Sequence, residues 1–366
     1  MGRIPLVDLQ AAHAEVAEEV ELGFKRIISA TAFIGGEEVA AFEREFAAFV
    51  GVPHCVGVAN GTDALELALR AAGVVAGDEV VLPANTFIAT AEAVARVGAR
   101  PVLVDMDPAS YLLDLDAALA AVTPATRAVV PVHLYGQLAE VERLTDGLAG
   151  TGVTVVEDAA QCQGATRHGR GAGSWGIAAT SFYPGKNLGA YGDAGAVVST
   201  DAALATTVRT LANHGGLAKY VHDLVGCNSR LDALQAVVLR AKLVRLAAGN
   251  AARRAAAARY DELLADLDVV RPVTLPGNAH VWHLYVVQVP DRDRVVARLN
   301  EAGIGAGIHY PTPLHLTPAF AHLGYRAGAF PHAEAAAGRI LSLPLHPHIT
   351  AVQQEEVVAA LSAALH

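Results

Sequence analysis

Ser181-Phe182-Tyr183-Pro184-Gly185-Lys186-Asn187 puts a lone lysine in a loop constrained by proline and glycine, at the end of the strand-like run Ile177–Tyr183. A lysine that only serves solvation usually sits on a helix. In a loop of this kind the amine can lose water, drop its pKa and form a Schiff base with a carbonyl. Glu157-Asp158-Ala159-Ala160-Gln161 follows directly on Val153–Val156, a valine run that reads as a buried strand. Carboxylates at the carboxyl end of a parallel strand lie where open α/β sheets bind ligands. Capping of a helix by Asp158 is the plainer alternative. Asn60-Gly61-Thr62-Asp63 ends a strand and opens a helix. Its free N–H groups and positive dipole end suit a phosphate, although an ordinary capped turn has the same sequence. Amine, carboxylate and anion seat together match pyridoxal phosphate, whose ring nitrogen needs a carboxylate nearby to stay protonated.

Other candidates are weaker. Gly171-Ala172-Gly173-Ser174-Trp175-Gly176 matches a dinucleotide fingerprint, but a polar turn precedes it and a strand follows, so it reads as a glycine-rich connection. A P-loop fails because Asn187 stands where Ser or Thr should follow Gly-Lys. His309-Tyr310-Pro311-Thr312-Pro313-Leu314-His315 is a rigid polar loop. Its histidines lack a third metal ligand at fitting spacing, so no metal is expected, and a substrate-facing loop competes with a structural one. Lys219 to Asp223 and Gly226 to Arg230 form a polar stretch that also reads as solvated loop.

These residues need elements to hold them. Of the 366 residues 53% are apolar and 17% charged, enough to fold and too many for one core, so a large domain and a smaller one are expected. The net charge of −10 argues against a nucleic-acid binder. Lysine occurs only at Lys25, Lys186, Lys219 and Lys242. Cys55, Cys162 and Cys227 are odd in number and widely spaced, which points to a reducing cytoplasm. No signal core and no long apolar run occurs, so no membrane association is expected.

His54–Ala59, Glu79–Pro83, Pro101–Val104, Ala128–Val132 and Val153–Val156 read as buried strands. Leu65, Ala68, Leu69 and Ala72 share one helical face. The alternation implies an α/β fold, a mostly parallel sheet flanked by helices. Ser229–Leu267 reads as one long helix. After a break at 271–277, Val281–Val289 reads as strand, Asp291–Ala302 as helix, Leu341–Leu345 as strand and Thr350–Leu365 as helix, a small α+β domain. The division expected is 1–245 for the large cofactor-binding domain, with its N-terminal segment able to pack on the small one, and 246–366 for the small C-terminal domain.

The ordered set of motifs resembles the DegT/DnrJ/EryC1/StrS family of pyridoxal-phosphate-dependent sugar aminotransferases, of fold type I. It runs from Ile4-Pro5-Leu6-Val7-Asp8-Leu9 and Gly51–Thr62 through Pro83–Phe87, His133–Gln137, Glu157–Gln161 and Ser181–Gly189 to Asn228-Ser229-Arg230, Gln235 and His309–His315. The resemblance implies that Lys186 binds the cofactor carbonyl and Asp158 pairs with the ring nitrogen. Gln161 would lie near the ring hydroxyl, Phe87 would cover the ring, and Gly61, Thr62 and Ser181 would hold the phosphate. Asn228 would reach the phosphate from the neighbouring subunit, implying a homodimer with shared sites. Dehydratase relatives carry His in place of the lysine, and Lys186 argues against that branch. Gly192-Asp193-Ala194-Gly195 lacks a second glycine found in many relatives.

The activity this implies is ping-pong transfer of an amino group from L-glutamate to a nucleotide-linked keto sugar. A thymidine-diphosphate 3-keto-6-deoxyhexose is favoured; amination at C4, or of another keto sugar or cyclitol, is the alternative. Tyr183, Lys219, Arg230, His309, Tyr310 and His315 are the candidates for binding substrate. A silent homologue acting as a regulator, and a nicotinamide oxidoreductase, are the competing classes. Intact Lys186, Asp158 and Gln161 argue against the first, and the misplaced glycine motif against the second.

Overall fold

Valine-rich runs fold as strands because β-branched side chains pack well on a pleated surface. The structure, a computed structural model, describes residues 3–366. Its strands are β1 (His54–Val58), β2 (Glu79–Pro83), β3 (Arg100–Val104), β4 (Thr126–Val129), β5 (Thr154–Asp158), β6 (Thr166–Arg167), β7 (Arg170–Gly171), β8 (Ile177–Ser181), β9 (Gly195–Ser199), β10 (Asn278–Ala279), β11 (Tyr285–Gln288) and β12 (Ile340–Leu343). Seven of them form the main sheet in the order β1-β9-β8-β5-β4-β2-β3. Pairings from β3 across to β8 are parallel, while β9 runs antiparallel to both β8 and β1. The expected mostly parallel sheet is therefore present, with one reversed strand, and the loop from β8 to β9 carries Lys186.

The helices are α1 (Leu9–Ala14), α2 (Ala17–Ala30), α3 (Glu37–Val50), α4 (Gly61–Ala71), α5 (Ile88–Arg96), α6 (Leu115–Ala120), α7 (Val141–Gly147), α8 (Ala202–Ala212), α9 (Ala233–Leu263), α10 (Arg292–Glu301), α11 (Pro331–Ala337) and α12 (Ala351–Leu365). Successive strand residues point to opposite faces, so each strand feeds two cores. Val56, Ala179 and Val197 pack under α4, α5 and α8 with Leu65, Ala68, Val94 and Val208. Cys55, Ala178, Ala196 and Val198 pack on the other face with Phe42 and Phe46 of α3 and Leu239 and Leu243 of α9. Both faces are covered, which is why these strands read as unbroken apolar runs.

Helix α9 runs unbroken through position 245 and serves two cores. Its first half lies on the sheet, and Ala257 and Tyr260 near its end join the core of the small unit with Tyr285, Leu343, Val357 and Leu361. That unit is built on the antiparallel pair β11–β12 with α10 and α12 beside it. The chain's start joins it too: the Ile4 N–H donates to the Gly303 carbonyl at 2.9 Å, and the Gly305 N–H to the Ile4 carbonyl at 2.8 Å.

Two boundaries differ from the sequence reading for identifiable reasons. α9 begins at Ala233 because Ser229 is committed elsewhere: its hydroxyl donates to Asp63 at 2.8 Å and accepts the Ala59 N–H at 3.2 Å. The strand expected from Val281 begins at Tyr285, because Trp282 has a positive φ of 48° and turns the chain at the cavity wall.

Candidate active site

The Lys186 loop is held from within. The Lys186 N–H donates to the Tyr183 carbonyl at 2.8 Å, and the Phe182 N–H to the Ala194 carbonyl at 2.8 Å. Gly189 packs against Pro184, where an added Cβ would lie 2.2 Å from the Pro184 oxygen. From outside, Lys242 on α9 donates to the Gly189 carbonyl at 2.7 Å and stands 4.7 Å over the Tyr191 ring. Burial draws the Lys186 ammonium down to about 8, against the opposing pull of Asp158 and Cys162.

Asp158 closes the C-terminal end of β5 and is buried. Its Oδ2 accepts from the Thr90 hydroxyl at 2.8 Å and its Oδ1 from the Ala160 N–H at 3.1 Å. Desolvation raises its pKa; the hydrogen bonds from Thr90 and Ala160 and the charge of Lys186 act the other way. Glu157, one residue earlier, faces the opposite side of the sheet. It accepts from His133 Nε2 at 2.8 Å and from the Gly173 N–H at 2.9 Å. The two neighbouring acids thus have separate duties, and one of the motif glycines that mimics a dinucleotide site is bonded to the buried acid.

Gln161 lies beyond Asp158. Its Oε1 accepts the Tyr135 N–H at 2.7 Å, which fixes the amide so that Nε2 donates to the Tyr310 hydroxyl at 3.0 Å. Tyr135 in turn donates its hydroxyl to the His309 carbonyl. The Tyr310 ring meets Phe87 at 5.2 Å between centroids, and Phe87, half-exposed at the start of α5, lines the opening. At the far end, Asn60 caps α4 by accepting the Asp63 N–H at 2.8 Å, leaving the first turn to Gly61 and Thr62. An added Cβ on Gly61 would come within 2.5 Å of the Ser181 Cβ, so helix start and Ser181 abut.

These groups line one cavity of about 610 Å³, which gathers Gly61, Thr62, Phe87, Asp158, Gln161, Ser181, Tyr183, Lys186, His309 and Tyr310. Four sequence candidates lie elsewhere in the chain. His315 is buried with Nε2 bonded to Glu334 at 2.8 Å, which ties it to the 314–334 segment, while its Nδ1 has no hydrogen-bond partner among the described residues. Lys219 lies 5.0 Å from the ring centroid of Tyr220, Asn228 is exposed, and Arg230 donates to Asn213 Oδ1 at 3.3 Å. Conversely, Leu6, Val7, Asp193, His283 and Leu284 line the cavity without having been singled out in the sequence. Leu6 and Val7 lie within a family-like motif, and the only signal for His283 was its place in an apolar, strand-like run. Among the described residues no cluster of three metal-ligating side chains occurs, and no helix is long and apolar enough to cross a membrane.

Residues 14–362 match the DegT/DnrJ/EryC1/StrS aminotransferase family. The chain belongs to this family. As a member it is an aminotransferase, and its relatives are similar over nearly their whole lengths. The erythromycin biosynthesis sensory transduction protein EryC1 of Saccharopolyspora erythraea is 48% identical over 98% of this chain and 99% of that one. The dTDP-3-amino-3,4,6-trideoxy-alpha-D-glucose transaminase of Streptomyces venezuelae is 45% identical, covering 98% and 95%. Among solved structures, S. venezuelae DesV in complex with a ketimine intermediate superposes with a TM-score of 0.98 at 43% identity, covering 100% and 99%.

Proposed function

We propose that this aminotransferase moves an amino group from L-glutamate to C3 of a nucleotide-linked keto sugar. Its cofactor is pyridoxal 5′-phosphate, the cofactor of the family. The observation that carries the reading is that Lys186, Asp158 and the N-terminus of α4 line a single cavity. The residues fit that group: an amine for its carbonyl carbon, a buried carboxylate for its ring nitrogen, and a helix start for its phosphate. Gly61 lets the start of α4 close on Ser181, where a Cβ would come within 2.5 Å of the Ser181 Cβ. Phe87 and Tyr310 stand where a flat ring could pack, and the fixed Gln161 amide directs its NH₂ group to the same side as Tyr310.

Bound there, the cofactor supplies an electron sink for a carbanion at the amine-bearing carbon. With its pKa drawn to about 8, Lys186 is uncharged in a useful fraction of molecules near neutrality. Its Nζ would take the α-proton of the amino donor and, in the second half of the cycle, deliver a proton to the sugar carbon that receives the amine. Asp158, oriented by Thr90 and Ala160, would hold the proton on the ring nitrogen. Tyr183, His309 and Tyr310 line the same cavity and are assigned to substrate.

Asn228, Lys219 and Arg230 lie outside the cavity of their own chain, so we assign them to the site of a second copy. Leu217, Tyr220, Val221, Leu224 and Val225 are exposed on the same segment, as an interface loop requires. The choice of C3 rests on the Streptomyces relative, whose name places the amine there. Amination at C4 or of a cyclitol ketone is the alternative, and product NMR separates them. Although EryC1 carries a regulatory name, the intact amine and carboxylate in one cavity favour an enzyme here. Borohydride reduction of the cofactor-loaded protein tests the reading: the cofactor should become fixed to Lys186, as mass spectrometry of its peptide will report. A reduced protein with Lys186 unmodified refutes it.

A further inference from the structure

Asn187, the residue that breaks the P-loop pattern, fixes a second side chain in the wall of the cavity that Lys186 lines. Its Nδ2 donates to Asn250 Oδ1 at 2.9 Å and to the Val281 carbonyl at 3.0 Å. Both amide protons are used, so the amide orientation is set, and Oδ1 faces His283 Nδ1 at 3.2 Å. An amide oxygen only accepts, which places the proton of a neutral His283 ring on Nδ1 and leaves Nε2 with a bare lone pair. Asn250 is anchored as well, donating to the Gln163 carbonyl at 2.9 Å. The His283 ring is buried in the wall of the cavity that Lys186 lines, and its Nε2 hydrogen-bonds to none of the described residues.

Burial, helped by the charges around this ring, keeps it neutral. Burial, then Lys186, Arg253 and His309, hold His283 well below the ordinary imidazole range. Arg253 is occupied by the Trp282 and Leu345 carbonyls, and His309 Nδ1 by the Ser342 hydroxyl at 2.8 Å. Asp158 and Cys162 face Lys186 from the β5 side.

We propose that His283 is a positioning residue for the reactive amine: its Nε2 lone pair, unpaired in this structure, is the acceptor for a hydrogen bond from Lys186 Nζ when that side chain turns toward it, and Asn187 enforces the tautomer this requires. The inference rests on the reading of Lys186 as the reactive amine. A free amine on a four-carbon stem rotates, and an acceptor on one side turns its lone pair toward the cavity. The opposite tautomer would donate into that lone pair and quench the nucleophile. The tautomer therefore decides whether the neighbour helps or hinders.

The test is long-range proton–nitrogen NMR of the full-length, cofactor-free protein labelled with nitrogen-15 histidine, from pH 6 to 10, with the His283 signals assigned through His283→Gln. The expected result is protonated Nδ1 and bare Nε2 throughout. The Nε2 signal should also step with the Lys186 midpoint near 8, and that step should vanish in Lys186→Met. Asn187→Ala should mix the two tautomers. Protonated Nε2 in the wild type, no step, or a step that survives in Lys186→Met would each overturn the role of His283. The wild-type spectrum decides alone if a variant fails to fold. Borohydride trapping on Lys186 reads out separately, so loss of this inference leaves the assignment of the reactive amine standing.

Discussion

Replacing Lys186 by methionine should stabilise the cofactor-free protein at neutral pH. The folded chain holds this amine at about 8, whereas an unfolded lysine titrates near 10.5. Because the folded pKa is the lower one, the folded state binds fewer protons between those values, and stability rises as pH climbs from 8 to 10.5. At pH 7 both states are mostly protonated, and the folded one bears nearly the whole penalty of about 2.5 pKa steps. At 1.36 kcal/mol each this is about 3 kcal/mol, falling to about 1 kcal/mol at pH 10. Methionine keeps the apolar stem and drops the charge, so it removes the penalty without opening a cavity. For a chain of this length about 3 kcal/mol corresponds to roughly 4 °C in Tm at fixed protein concentration. Thermal unfolding of both cofactor-free proteins at pH 7 and pH 10 checks it. An equal or lower Tm for Lys186→Met at pH 7, or the same gain at both pH values, would refute the argument that burial tunes this amine.

Other consequences follow from neighbouring contacts. Glu157→Gln should lower stability by about 1–3 kcal/mol, because its NH₂ would face a His133 N–H whose tautomer the Ala139 N–H fixes at 3.1 Å; turnover per folded, loaded molecule should be unchanged, as Tm and kcat together will show. Gly61→Ala forces a Cβ against Ser181, an overpacking cost of about 1–3 kcal/mol that should weaken cofactor retention on the order of tenfold or more in an equilibrium titration. If Arg230 serves the other subunit, mixing inactive Lys186→Ala and inactive Arg230→Ala chains under subunit exchange should restore activity, since one site of each mixed dimer is then complete. No recovery despite exchange places Arg230 in its own chain's site.

The sheet was legible because its strands are covered on both faces, which forces short valine runs such as Val80-Val81 and Val155-Val156. Antiparallel β9 was harder to read, since Gly195–Ser199 has the same composition and direction leaves no mark on it. Trp282 shortened β11 through a backbone angle that no apolar pattern encodes. Lys186, Asp158 and the start of α4 were legible for a different reason: each sits at an element end, where Gly, Pro, Asn or Asp mark the turn. In Glu157-Asp158 the acids are consecutive, and only strand alternation decides which one meets the cavity.

His283, Leu6 and Val7 show what chain order hides. Leu6 and Val7 reach the cavity because Ile4 bonds to Gly303 and Gly305, almost 300 residues away in sequence. His283 reaches it because Asn187, adjacent to the lysine, reaches across to the segment at Val281. In both cases the position depends on contacts between residues about 100 or more positions apart in the chain, and a one-dimensional pattern carries no such coordinate. The scarcity of lysine gains meaning by the same route. Lys242, in an alanine- and arginine-rich helix, gave no functional signal, yet its amine holds the Gly189 carbonyl in the loop of Lys186. Burial draws one lysine to about 8, as the amine proposed to react requires, and a second, also drawn to about 8 by burial, clamps the turn that presents it. Arginine could not replace either one, because its guanidinium keeps its charge under burial and is too broad for a single carbonyl behind a packed loop.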